Sequence, residues 1–252
     1  MVDLNRFFRP MDGCMQVDEA LYGQVQMCER MAEAMSRNSS RSLYIIDYNA
    51  KGFIYVSPNP LFLCGHTPNE VMAMGYGFYE KVVPAEEVQM LLEINEAGFR
   101  FFYSHPREER LAMSIDYDFH LCYGEGNRQL IHHQLTPIQL DAEGNIWLAL
   151  CSVSLSTAKS EGNVVCSVGR GSQHYAYSFA SKRWKLLPQT ALSEREADIL
   201  RLSIRGFNMK QIGEQLFIDL NTVKYHRRHL FQKLGVANIT EAIGLAESMR
   251  LI

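Results

Sequence analysis

The stretch SIDYDFHLCY (114–123) sets the tightest limit on what this chain can fold into. Ile115, Tyr117, Phe119, Leu121 and Tyr123 alternate with Asp116, Asp118, His120 and Cys122. Successive side chains of a strand point to opposite faces, so this alternation marks an antiparallel strand with one face on a core. Gly124–Asn127 turns the chain into RQLIHHQLTPIQL, and DAEGN (141–145) turns it again into IWLALCSVSL. Further upstream, SLYIIDYNAKGFIYVSP reads as strand, turn at Asn49–Gly52, strand. Between the two groups the period is helical. Thr67, Pro68 and Glu70 mark a helix start, and a longer helix opens at Pro84 with acids beside it.

The order is therefore helix, two strands, helices, three strands. Antiparallel groups of this kind exclude the alternating parallel β/α receiver of a phospho-acceptor response regulator. Ahead of them, Val17, Ala20, Leu21, Cys28, Met31, Ala32 and Met35 share one face of a helix over 17–37. Behind them, STAKSEGN (156–163) is small and polar, as linkers are. In HYAYSF, Tyr175, Tyr177 and Phe179 alternate, and KRWKLL follows as a second short strand. The expected division is an N-terminal helical segment (1–40), an α+β sheet domain (41–156), a connector with a β-hairpin (157–188), and an all-α domain (189–252).

The six cysteines (14, 28, 64, 122, 151, 166) are scattered without a C-x-x-C pair, which suits reduced apolar side chains rather than a disulfide frame or zinc site. No apolar run approaches the ~18–20 residues that span a bilayer. The opening MVDLNRFFRPMDG lacks the apolar core of a signal peptide. The expected location is the cytoplasm, without a membrane partner. No G-x-S-x-G, H-E-x-x-H or P-loop is present, and an enzyme is not expected.

Net charge is −3, yet residues 201–233 hold seven basic and two acidic residues, so this stretch carries +5 and the remainder −8. Concentrated positive charge on an acidic chain is a local electrostatic footprint for nucleic acid. The stretch is helical. Ser193 and Glu196 form a capping box, Asn208 starts a second helix, and Met209, Ile212, Gly213, Leu216 and Phe217 fall on one stripe. NTVKYHRRHLFQKLG (221–235) is a third helix ending at Gly235, and Thr240 caps a fourth. At 100° per residue, Val223, His226, Leu230 and Leu234 face the core. Asn221, Lys224, Tyr225, Arg228 and Gln232 face away, without one acid among them. Like charges at i, i+4, as in Lys224 and Arg228, cost stability, so an anionic partner is expected there.

Residues 192–252 resemble the LuxR-type helix–turn–helix domain. The likeness rests on L-S-E-R-E (192–196), Ile199–Leu200, Gly206, Lys210, Ile212, Leu216, T-V-K-Y-H (222–226), K-L-G-V (233–236), Asn238 and Glu241–Ala242. It implies a four-helix domain whose third helix reads bases in the DNA major groove and whose fourth supports dimerisation. Carried over by position, Lys224, Tyr225 and Arg228, with Asn221, are the expected base contacts. Lys210 and Thr222, with Arg227 and Lys233, are the expected backbone contacts. Departures are Asp219 for the usual Ser, Asn208–Met209 for Ser–Asn, Gly213 for Ala, and Ile239 for Arg.

The stretch 44–75 resembles the opening of a PAS domain, through Asp47, Gly52, Phe53–Val56, Gly65 and Thr67–Glu70. The strand-turn-strand run with Gly126 and Gly144 fits its closing part. The resemblance covers about 42–156 and implies a five-stranded antiparallel sheet with helices on one face. No cofactor is evident. The central helix lacks the axial His of haem-binding members, and adjacent His132 and His133 point to opposite faces, so no metal site is expected. Met72, Phe78, Tyr79, Met90, Ile94, Tyr117 and Phe119 are candidates for lining a small-molecule pocket, or else core. The combined expectation is a sequence-specific, one-component transcription regulator with a PAS-like sensor. Its expected partners are double-stranded DNA, a second copy of the chain, a small-molecule effector, and RNA polymerase if it activates. The alternative is a partner-binding PAS signalling protein with weak or vestigial DNA binding.

Overall fold

The computed structural model describes residues 4–7, 17, 19–124, 126–188, 191–249 and 251–252. Cys14 and the side chains of Ala20 and Leu21 lie outside the described residues. The chain divides into two units, Met1–Leu186 and Leu187–Ile252.

The first unit is built on one antiparallel sheet. Its strands are β1 (Ser42–Asp47), β2 (Gly52–Val56), β3 (Ser114–Tyr123), β4 (Asn127–Leu140), β5 (Ile146–Leu155), β6 (Gly162–Val168), β7 (Gln173–Ser178) and β8 (Arg183–Leu186). Their spatial order is β2-β1-β5-β4-β3-β6-β7-β8. The first five positions are the PAS-like arrangement. In the β1–β2 turn, Asp47 Oδ1 accepts from the N–H groups of Asn49 (2.8 Å) and Ala50 (3.0 Å), a side-chain mimic of a backbone turn. Helices α2 (Pro60–Leu63), α3 (Pro68–Met74), α4 (Gly77–Val82), α5 (Ala85–Tyr103) and α6 (Arg107–Arg110) follow β2. The expected start of α3 is a capping box in which Thr67 and Glu70 satisfy each other's backbone donors.

The main core lies between these helices and the inward face of the sheet, with Tyr44, Phe62, Phe78, Phe119, Leu121, Ile131 and Val153 fully buried. Polar side chains meet within it. Tyr44 Oη lies 2.6 Å from both Tyr79 Oη and His133 Nε2. Helix α1 (Glu19–Arg37) covers part of the opposite face, placing Val25 and Ala32 against Ile45, Trp147 and Leu148. Cys28 turns inward with them, while Met27, Met31 and Met35 are exposed.

Residues 157–188, read from sequence as a connector, hold three strands of the same sheet. β6 pairs with β3, β7 with β6, and β8 with β7. The β7–β8 hairpin packs on α5. Tyr177 Oη and Lys182 Nζ donate to Glu93 (3.0 and 2.6 Å), Trp184 Nε1 donates to the Ala97 carbonyl (3.3 Å), and Phe101 meets the Trp184 and Tyr175 rings.

This extension changes the polar face of β3, which the alternation alone presents as solvated. Asp116 and Asp118 are 2% and 4% exposed. Gln134 and Asn163 donate to them (2.7 and 2.9 Å), and His132 lies between, with Nδ1 3.1 Å from Asp118 and Nε2 3.7 Å from Asp116. Burial pulls the His132 imidazole toward neutrality, but hydrogen bonds and charge from the two carboxylates outweigh it and raise its pKa to about 9. Its neighbour His133, on the core face, goes the other way. Burial, reinforced by the charge on His132, lowers it to about 3.

The two signs act in separate pH windows. A histidine raised from its ordinary ~6.5 stabilises the fold fully below that value and loses its contribution as pH climbs to about 9. The depressed His133 costs stability only as pH falls below ~6.5. Urea denaturation of the wild-type chain is therefore expected to show stability falling by on the order of 2–3 kcal/mol between pH 6.5 and 9. His132→Gln should flatten that limb. An unchanged slope in the variant would assign the effect to other groups.

Candidate DNA-binding helix and sensor cavity

The second unit contains α7 (Glu194–Ile204), α8 (Met209–Leu216), α9 (Leu220–Leu234) and α10 (Ile239–Ser248). Local signals set their ends. Ser193 and Glu196 form the expected capping box of α7, and Asn208 with Gln211 forms one for α8. Asp219 caps α9, accepting from the N–H groups of Asn221 (2.7 Å) and Thr222 (3.0 Å), and Gly235 ends it in the left-handed region. The fourth helix is capped by Asn238 rather than Thr240, because the Asn238 side chain accepts from the Glu241 N–H (3.0 Å) and the helix has begun before Thr240.

Gly213 allows the tight approach of α8 to the turn before α9. A Cβ there would lie 2.8 Å from the Ile218 carbonyl oxygen. Phe217 departs from the stripe read from sequence. The helix stops at Leu216, Phe217 takes a left-handed backbone (φ 55°), and its ring swings out to 95% exposure.

Helix α9 buries Val223, Leu230 and Leu234 and leaves Asn221, Lys224, Tyr225, Arg228, His229 and Gln232 exposed. The Tyr225 ring leans on His229, 4.4 Å between centroids, which presents the two as one aromatic edge. Lys224, Arg228 and, on α8, Lys210 have no ion-pair partner among the described residues. Lys224, Arg227 and Arg228 share a shallow depression with Met209 and Phe231, and the Arg227 guanidinium lies 5.2 Å over the Phe231 ring. Thr222 Oγ1 donates to Asp219 Oδ2 (2.6 Å), so its hydroxyl is already part of the cap. The Thr222 and Asn221 donors hold the Asp219 carboxyl below its ordinary pKa and occupy its oxygens.

Lys233, another of the expected backbone contacts, already has partners within the domain. Its Nζ is turned inward to Glu196 Oε2 (2.6 Å) and the Ala191 carbonyl (3.0 Å). Burial opposes ionisation of Glu196, but Lys233 and the Ser193 donors outweigh it and hold the carboxyl below its ordinary value.

In the first unit, a cavity opens between α5 and the inward face of β3–β6. Ile94, Asn95, Gly98, Phe99 and Phe102 line it from α5, and Ile115, Tyr117, Leu135, Pro137, Ile146 and Cys166 from the sheet, with Tyr48, Met113 and Ser114 completing it. No charged side chain is among them. Of the pocket residues expected from sequence, Ile94 and Tyr117 line the cavity. Phe78, Tyr79 and Phe119 are buried core, and Met72 and Met90 pack against that core from its edge. The others were missed because they come from separate elements and share no motif; Gly98, whose added Cβ would meet Ile115 Cδ1 at 3.1 Å, was the one local hint of close helix–sheet approach.

The geometry defines a PAS-like sheet domain followed by a helix–turn–helix domain with a basic outward helix. Residues 190–246 match the model of the bacterial regulatory proteins of the luxR family, so this segment is a LuxR-family DNA-binding domain. Over 65 residues the chain is 37% identical to the oxygen regulatory protein NreC of Staphylococcus aureus, covering 26% of this chain and 30% of that protein. The chain thus spans about 30% of the length of the curated relatives it matches. Among solved structures, the response regulator ChrA of a heme-sensing two-component system is 45% identical over 26% of this chain and 33% of its own, with a TM-score of 0.25. Vibrio cholerae VqmA is 15% identical over 90% of this chain and 86% of its own, with a TM-score of 0.34. At these TM-scores the PAS-like description rests on the strand order given above. No described helix is long and apolar enough to cross a membrane.

The two lysines should separate in experiment. Lys233→Ala is expected to lower the stability of the helical domain by about 1–3 kcal/mol, the usual cost of removing a charged hydrogen-bond partner. Calorimetry of the variant against Lys210→Ala checks this, and equal melting of the two would place Lys233 outside the fold's support.

Proposed function

We propose that the protein is a cytoplasmic one-component transcription regulator that binds double-stranded DNA as a dimer and responds to a small molecule held in its PAS-like domain. The observation that carries this reading is the outward face of α9. It offers Lys224 and Arg228 without ion-pair partners among the described residues, beside Asn221 and Tyr225, on a helix that buries Val223, Leu230 and Leu234 on its opposite face. Arg and Lys match guanine O6 and N7, and Asn matches adenine. Lys210, Arg227 and the start of α9 are the proposed backbone contacts. RNA polymerase is a further partner if the protein activates.

Selection from a random DNA pool tests it. Wild type should recover an inverted repeat, because one helix spans too few base pairs and a two-fold dimer reads two half-sites. Arg228→Ala should lose ~1–3 kcal/mol of discrimination at its base pair. Lys210→Ala should weaken all sequences alike and reduce the salt slope by about one. Recovery of the same site by wild type and Arg228→Ala would remove the base-reading role, and recovery of a lone half-site would remove the dimer. The exposed Met27, Met31 and Met35 stripe of α1 is the proposed self-association surface.

The effector reading rests on the uncharged lining of the α5 cavity, which suits a small neutral ligand with one or two polar atoms for Tyr117, Ser114 or Asn95. Helix α5 touches that cavity with Ile94, Gly98 and Phe102, and the β7–β8 hairpin with Glu93, Ala97 and Phe101. A ligand that favours one position of α5 over another therefore biases the hairpin from which the chain leaves the sheet. Native mass spectrometry of protein from its own host should show a small-molecule adduct. Trp184→Ala should keep DNA affinity and lose the response to that molecule; a full response in the variant would break the proposed route.

A further inference from the structure

Glu87, His120 and Glu161 come from three separate parts of the chain and meet at one end of the sheet domain. Glu87 is in the first turn of α5, His120 is on β3, and Glu161 ends the loop before β6. The Glu87 side chain is 8% exposed, and both its oxygens face His120. Oε2 accepts from the His120 backbone N–H and Oε1 lies against Nδ1, each at 2.7 Å. Glu161 is exposed, and its carboxylate has no hydrogen-bond or ion-pair partner among the described residues. One ligand-type atom from each of the three lies within 4.8 Å of the others.

We propose that these residues form a binding site for a divalent transition-metal cation such as Zn²⁺ or Mn²⁺. One imidazole nitrogen with two carboxylate oxygens is a donor set such ions accept, whereas Ca²⁺ and Mg²⁺ favour oxygen alone. The cation takes the place of the proton between His120 Nδ1 and Glu87 Oε1, and that proton leaves to solvent. The Glu87 Oε2 bond to the His120 N–H remains and fixes the carboxylate from behind. Metal–ligand bonds of ~2.0–2.2 Å require the three donors to draw together, and Glu161, on an exposed loop, is the one that moves. The remaining positions stay with water, so this is an exchangeable site rather than a closed structural one.

The position gives the cation a task. Gly162 follows Glu161 directly and pairs with Asp118 at the start of β6, beside an irregularity in the β3–β6 register. A cation held by Glu161, His120 and Glu87 ties that loop to both β3 and α5, and so clamps the first of the three added strands.

Untagged full-length protein, stripped with a chelator, is titrated by calorimetry with Zn²⁺ and separately with Mn²⁺. One equivalent of at least one cation should bind, with His120→Gln and Glu161→Gln each weakening it ten-fold or more. Glu161→Gln changes an exposed loop residue, so its metal-free melting temperature should match wild type, and this keeps the test independent of folding. Bound Mn²⁺ should also broaden the His120 ring resonances before those of His66 and His105. Absence of binding up to millimolar cation, or binding that survives Glu161→Gln, overturns the proposal.

Discussion

The pairing of β6 with the edge of β3 organises the sheet unit. Without it, β3 would end a five-stranded sheet and its acidic face would meet water. With it, Asp116 and Asp118 are enclosed beside His132, and the chain is directed back over α5 as a hairpin. Burying two carboxylates is expensive unless a cation and donors share the site, and His132, Gln134 and Asn163 supply both. The same ladder brings Tyr177 and Lys182 to Glu93, so the strand addition and the docking on α5 are one arrangement.

Parts of this were legible from sequence because their determinants are local. Ser193 with Glu196, Thr67 with Glu70, and Gly235 act within one helical turn of themselves, and the alternation over 114–123 needs no partner to be seen. What escaped depends on distance along the chain. The partner of β6 lies some fifty residues upstream, across two intervening strands, and no periodicity names it. A count of basic residues places Lys233 with the others, but its partner Glu196 is 37 positions away. Phe217 fits the apolar stripe of α8 in register and fails in backbone, since the helix has ended one residue before it. The cavity had the weakest signal of all. Its lining comes from α5, four strands and the segments between, and any one of those residues reads as ordinary core.

The DNA-binding unit shows how departures from a family pattern can be absorbed. An aspartate at the corner before α9 places an anion next to the helix proposed to meet DNA. Its oxygens are taken up by two backbone donors and the Thr222 hydroxyl, and the helix dipole further favours the charge at that end. The carboxylate thus faces its own helix.

An eight-stranded open sheet has two unpaired rims, and the outer one is β8. It is four residues long, and Arg183 and Lys185 stand exposed on it beside Leu186. A rim of free N–H and C=O groups invites another strand, and short length with like charge is the common protection against that. Two copies laid rim to rim would bring four cations together. Sheet-to-sheet polymerisation is discouraged at the last strand before the helical unit begins.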